Sequence, residues 1–144
     1  MKAETESQIV DIEIDGKLFH IERFKADKAG DVWLINGTMT DIEFYSGLII
    51  PAQAPEFVRV FRARISRVVQ HNKDGITIFS RKAYAYQEDK EKVKEVISQL
   101  PDKTYILSSV KTMQAYKSNR ILVPERDTNR KARTDFEISG VFYM

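Results

Sequence analysis

The side chains best suited to chemistry in this sequence are cations interleaved with rings. Arg59, Arg62, Arg64 and Arg67 are followed by Arg81-Lys82 and then by Tyr84 and Tyr86. Guanidinium and ammonium groups neutralise phosphates, and flat rings stack on bases for about 1–3 kcal/mol each. Arginine outnumbers lysine four to none over residues 58–70, which suits bidentate phosphate contacts. A later charged segment carrying Arg130, Lys131 and Arg133 could close over the same surface as a clamp. These residues point to a domain that binds single-stranded DNA or RNA without catalysis.

Other chemistries find fewer of their parts. Asp11, His20 and Glu22 could converge on one side of a strand pair and offer a nitrogen and two carboxylates to a divalent ion. The simpler reading is a cross-strand ion pair on a solvated face. Carboxylates at 11–15 and 41–43 could form an acid/base pair, yet nothing in their spacing indicates the burial that shifts a pKa. The chain has no cysteine, two histidines and no Gly-x-Ser-x-Gly elbow, phosphate loop or dinucleotide fingerprint. An enzyme is therefore the weaker reading. No catalytic residue, metal ligand or cofactor is assigned.

The elements that must position the cations follow from pattern. Val10, Ile12 and Ile14 alternate with acids before Asp15-Gly16, predicting a hairpin over 9–24 with Ile12 opposite Phe19, Val10 opposite Ile21 and Asp11 opposite His20. Asn36-Gly37 suggests a second hairpin over 31–45, with apolar residues on both faces and hence cover on both sides. Asn36-Gly37-Thr38 also matches a glycosylation acceptor, which carries no weight without a secretory signal. Leu48-Ile49-Ile50 reads as an apolar run inside a loop. Residues 57–69 fit two patterns. A helix would carry a stripe of Phe57, Val60, Phe61, Ile65 and Val68, with Arg64 intruding. Seven of the thirteen residues are β-branched or Phe, which favours a strand paired with 76–86 in a long hairpin.

One principal helix is predicted at about 88–100, from Val93, Val96, Ile97 and Leu100, ending at Pro101. Strands should follow at 104–110 and 120–123, then a mobile charged loop at 124–134 and a C-terminal strand from Phe136 to Phe142. The sum is a β-rich α+β fold of antiparallel hairpins, forming a small barrel or a strongly twisted sheet. The order of strands, helix and further strands is similar to that of the OB-fold.

With 144 residues and no cysteine, the chain is expected to be a single domain over 1–144, without disulfides or zinc and with a frayed N-terminus at 1–7. No apolar run suits a membrane span or a signal peptide, so a cytoplasmic protein with no membrane partner is expected. The net charge of +2 hides a segregation: residues 1–57 carry 5 basic and 11 acidic side chains, and residues 58–85 carry 7 basic and 1 acidic. Local field, not total charge, governs partners. The acidic first third and basic middle could instead be complementary faces of a protein-interaction or assembly module, including a homo-oligomer.

Overall fold

Alternation of apolar and acidic residues produces β1 (Ser7–Ile14), which turns at Asp15-Gly16 into β2 (Lys17–Lys25). Both turn residues have positive φ, 50° and 80°, as a two-residue hairpin turn requires. The register sets Val10 against Ile21, Asp11 against His20 and Ile12 against Phe19, as the sequence predicts. The computed structural model describes residues 6–25, 32–44, 49–126 and 132–138, with side chains as far as Pro124.

The chain continues through β3 (Trp33–Asn36), β4 (Ile42–Glu43), β5 (Ile49–Ile50) and α1 (Pro55–Val58), which runs into a 3-10 turn at Arg59–Phe61. Next come β6 (Arg64–Lys73), β7 (Ile76–Tyr84), α2 (Gln87–Ser98), β8 (Thr104–Leu107), α3 (Val110–Tyr116), β9 (Ile121–Arg126) and β10 (Ala132–Ile138). Six strands form one mixed sheet in the order β1-β2-β3-β8-β9-β10. Its centre, β3-β8-β9, is parallel and its flanking pairs are antiparallel.

The architecture is α+β and β-rich, with three short helices among the described residues. The sheet is not closed into a barrel. The barrel form and the OB-like order are therefore corrected to an open sheet whose edges, β1 and β10, do not meet.

Both sides of the sheet's centre are covered. On one side Val93 and Val96 of α2 and Leu100 just past its end, with Phe57 and Phe61, pack on Ile12, Ile21, Ile35, Ile106 and Ile121. On the other, Ile42, Phe44 and Ile50 pack on Phe24, Leu34, Leu107 and Leu122. β3 is buried along its whole length, which explains its apolar residues on both faces.

The expected hairpin over 31–45 does not form. β3 pairs with β2 and β8, while β4 pairs with β5, so Ile49 and Ile50 lie in a strand, not a loop. Gly37 is selected for space, since a Cβ there would meet Ile106 Cγ2 at 2.7 Å and the Leu107 carbonyl oxygen at 2.9 Å. The 57–69 alternatives divide between them: Pro55 starts a helical segment ending at Phe61, and the strand begins at Arg64.

The strand expected over 104–110 stops at Leu107. Ser109 then caps α3, its hydroxyl accepting from the Thr112 N–H. Of the segments expected to be frayed or mobile, residues 1–5 and 127–131 lie outside the described residues. Ser7 opens β1, residues 124–126 belong to β9, and 132–134 belong to β10. Among the described residues no helix is long and apolar enough to cross a membrane.

Candidate functional site

The basic middle of the chain becomes a two-stranded ribbon because its β-branched and aromatic runs flank a tight turn. Asp74 and Gly75 hold φ of 55° and 75° there, so β6 folds directly back onto β7. Arg64 lies opposite Tyr84, Ser66 opposite Lys82, Arg67 opposite Arg81 and Val69 opposite Phe79. The register slips between Val69 and His71, which leaves Gln70 as an extra residue and bends the strand. Directly opposed residues share a face. Arg64, Lys73, Lys82 and Tyr84 thus lie on one face, and Arg67, Phe79 and Arg81 on the other.

From Arg67 to Lys82 every residue of this ribbon is exposed, on both faces. The ribbon forms a two-stranded sheet of its own. It is anchored at its base, where Ala63, Ala83, Ala85 and Ala115 form a small buried cluster with Tyr116 against it. Small residues let α3 approach the backbone closely. The Thr112 hydroxyl donates to the Phe61 carbonyl at 2.9 Å, and the Tyr116 hydroxyl donates to the Arg62 carbonyl. Burial and, less strongly, the Asp89 carboxylate together push the Tyr116 phenol up to about 12, with Arg64 opposing.

The cations sit on the rings. Arg67 lies 4.1 Å and Arg81 6.0 Å from the centre of Phe79, and Arg64 lies 4.3 Å from that of Tyr86. Tyr84 and Tyr86 meet edge to face at 6.0 Å. The described ion pairs are Lys17–Glu56, His20–Asp11, Lys25–Glu6 and Lys92–Asp15. None involves a cation of the ribbon, so among the described residues the acidic first third does not pair with it.

The structure brings Arg64, Arg67, Arg81, Lys82 and Tyr84 together on the ribbon, with Tyr86 beside its base at the start of α2. Arg59 lies in the 3-10 turn near Glu56, and Arg62 is exposed just before β6. Arg130 and Lys131 lie outside the described residues. Arg133 belongs to β10, but its side chain lies outside the described part. Sequence reasoning missed Lys73 and Phe79. Phe79 could have been found from its place two residues before Arg81 on a strand.

The competing sites supply less. His20 Nδ1 lies 2.6 Å from Asp11 Oδ1, on the solvated face. The Glu22 carboxylate accepts instead from the Ser7 hydroxyl at 2.8 Å. No group of three or more potential metal ligands is found among the described residues. A shallow cavity of about 290 Å³ is lined by Thr38, Ser108, Ser109, Val123 and Pro124. These offer hydroxyls but no acid or base for proton transfer. No protein-family model, no curated protein and no solved structure matches the chain.

Proposed function

We propose that this protein binds nucleic acid through the β6–β7 ribbon and catalyses no reaction on it. One observation carries the reading. The ribbon presents Arg64, Arg67, Lys73, Arg81 and Lys82 against a single acid, Asp74, with no ion pair to any of the five among the described residues. Cations held apart from carboxylates in a solvated element are available to phosphates, and the counterions that phosphates release supply the affinity.

Titration of labelled DNA and RNA oligonucleotides at rising salt tests this. Affinity should fall steeply with salt, and Arg67→Glu combined with Arg81→Glu should weaken it at every sequence tested. An absence of binding to any DNA or RNA at low salt overturns the reading.

A second reading, assembly between copies of the chain, is favoured by the exposure of Ile65, Val68, Val69, Ile76, Ile78 and Phe79 on the ribbon. Light scattering separates the two. Assembly requires a defined oligomer in the absence of nucleic acid.

A further inference from the structure

We infer that the ribbon's target is duplex nucleic acid, with β6 and β7 lying in the major groove; this rests on the nucleic-acid reading and narrows it. A stacking platform for a single strand needs free rings on one face and a body behind the other. On the ribbon the rings are shared with cations, and both faces are exposed. Arg67 and Arg81 lie against Phe79, Arg64 lies over Tyr86, and Tyr84 and Tyr86 meet edge to face. A base stacking on the ring face that a guanidinium covers, on Phe79 or Tyr86, would have to displace that cation. Every residue from Arg67 to Lys82 is exposed, so among the described residues neither face of this stretch is backed by a packed layer.

A groove makes the opposite demand. It has a floor and two phosphate walls, so a ribbon entering it edge-first meets a wall on each face. The cations are distributed that way, with Arg64, Lys73 and Lys82 on one face and Arg67 and Arg81 on the other. The major groove is about 12 Å wide and admits a two-stranded ribbon, whereas the minor groove, at about 6 Å, does not without deformation. The reach is also sufficient. Seven residues from Arg67 to Lys73, at about 3.3 Å each, span roughly 23 Å, or about seven base steps.

The test compares a short mixed-sequence DNA duplex with each of its strands alone, by fluorescence anisotropy at matched salt. The duplex should bind more tightly than either strand. Five phosphate contacts give a log–log salt slope of about −4.5, a loss of about 500-fold in affinity between about 50 and about 200 mM salt. The Arg67→Glu, Arg81→Glu variant, checked for native circular dichroism, should retain a slope of only about −2.7. Dimethyl sulfate should find guanine N7, in the major groove, protected and adenine N3, in the minor groove, open.

Strands that bind as tightly as the duplex, protection at adenine N3 in place of guanine N7, or an unchanged slope in the variant each overturn the groove assignment while leaving nucleic-acid binding in place. A ribbon buried in an oligomer, with no binding to duplex or strands, overturns both.

Discussion

Asn36 and Gly37 look like a hairpin turn in the sequence and act as something else in the fold. The Asn36 side chain is fully buried and makes four contacts, donating to the carbonyls of Thr40 and Ile50 at 2.8 and 2.9 Å and accepting from the Thr38 N–H and hydroxyl. Gly37 passes close beneath β8, donating its N–H to the Leu107 carbonyl at 2.8 Å. Any larger residue would press on that same oxygen and on Ile106, in a layer with no slack. Gly37→Ala is therefore expected to destabilise the protein by about 1–3 kcal/mol, read as a lower urea midpoint at unchanged slope. Asp15-Gly16, by contrast, was legible down to the register. Its flanking strands alternate cleanly, and a slip by one residue would turn Val10, Ile12 and Ile14 to the solvent. A dipeptide alone does not distinguish a turn from a close backbone approach. The flanking alternation does, and around Asn36-Gly37 it is absent because β3 is buried on both faces.

At the level of elements, the ribbon poses a stability problem, since an isolated two-stranded hairpin is marginal in water. Its base supplies the remedy. Tyr116 on α3 donates its hydroxyl to the Arg62 carbonyl, just before β6 begins. That hydrogen bond needs the neutral phenol, and burial favours the same form, raising its pKa from 10.0 to about 12. The raised value stabilises the folded state fully below about pH 10, and this contribution is lost as pH rises through about 12. Urea midpoints should therefore decline over that window. Tyr116→Phe should lose about 1 kcal/mol at neutral pH and show a shallower decline. A variant that matches the native pH profile would remove Tyr116 from this role. The helix that carries Tyr116 was not legible in the sequence. At seven residues α3 is too short to display a helical period, and its one local signal, Ser109 capping Thr112, is shared with ordinary turns. The longer α2 announced itself through Val93, Val96 and Ile97, although the stripe ran on to Leu100, two residues past the helix end.

For the molecule as a whole, an open sheet and a projecting ribbon leave strand edges that could pair with other copies. Charge handles much of this. The β1 edge carries Asp11 and Glu13, while the ribbon carries Arg67 and Arg81, so like edges repel. The segregation of charge along the chain, read from the sequence as a sign of partners, has this second consequence. A backbone edge has to be blocked as well, and at Glu13 the side-chain amide of Gln99 does so. It accepts from the Glu13 N–H at 2.7 Å and donates to the Glu13 carbonyl at 2.7 Å, completing the pairing that a neighbouring strand would make. Gln53 makes the same pair of bonds to Glu22, at 3.3 and 3.1 Å, in a half-buried position on β2 just before its pairing with β3. The two glutamines thus perform one chemistry at two places with different exposure to other molecules. Gln53→Ala should lower stability by about 1 kcal/mol per hydrogen bond lost, without association. Gln99→Ala removes an equivalent pair of bonds but uncovers a peptide group on an outer strand. It should therefore raise light scattering with protein concentration as well as lowering the urea midpoint. The scattering should be strongest at low salt, where β1 acids attract ribbon cations of a second molecule, and should fade once the Debye length shrinks below about 8 Å. Equal scattering from the two variants would mean that Gln99 guards no edge.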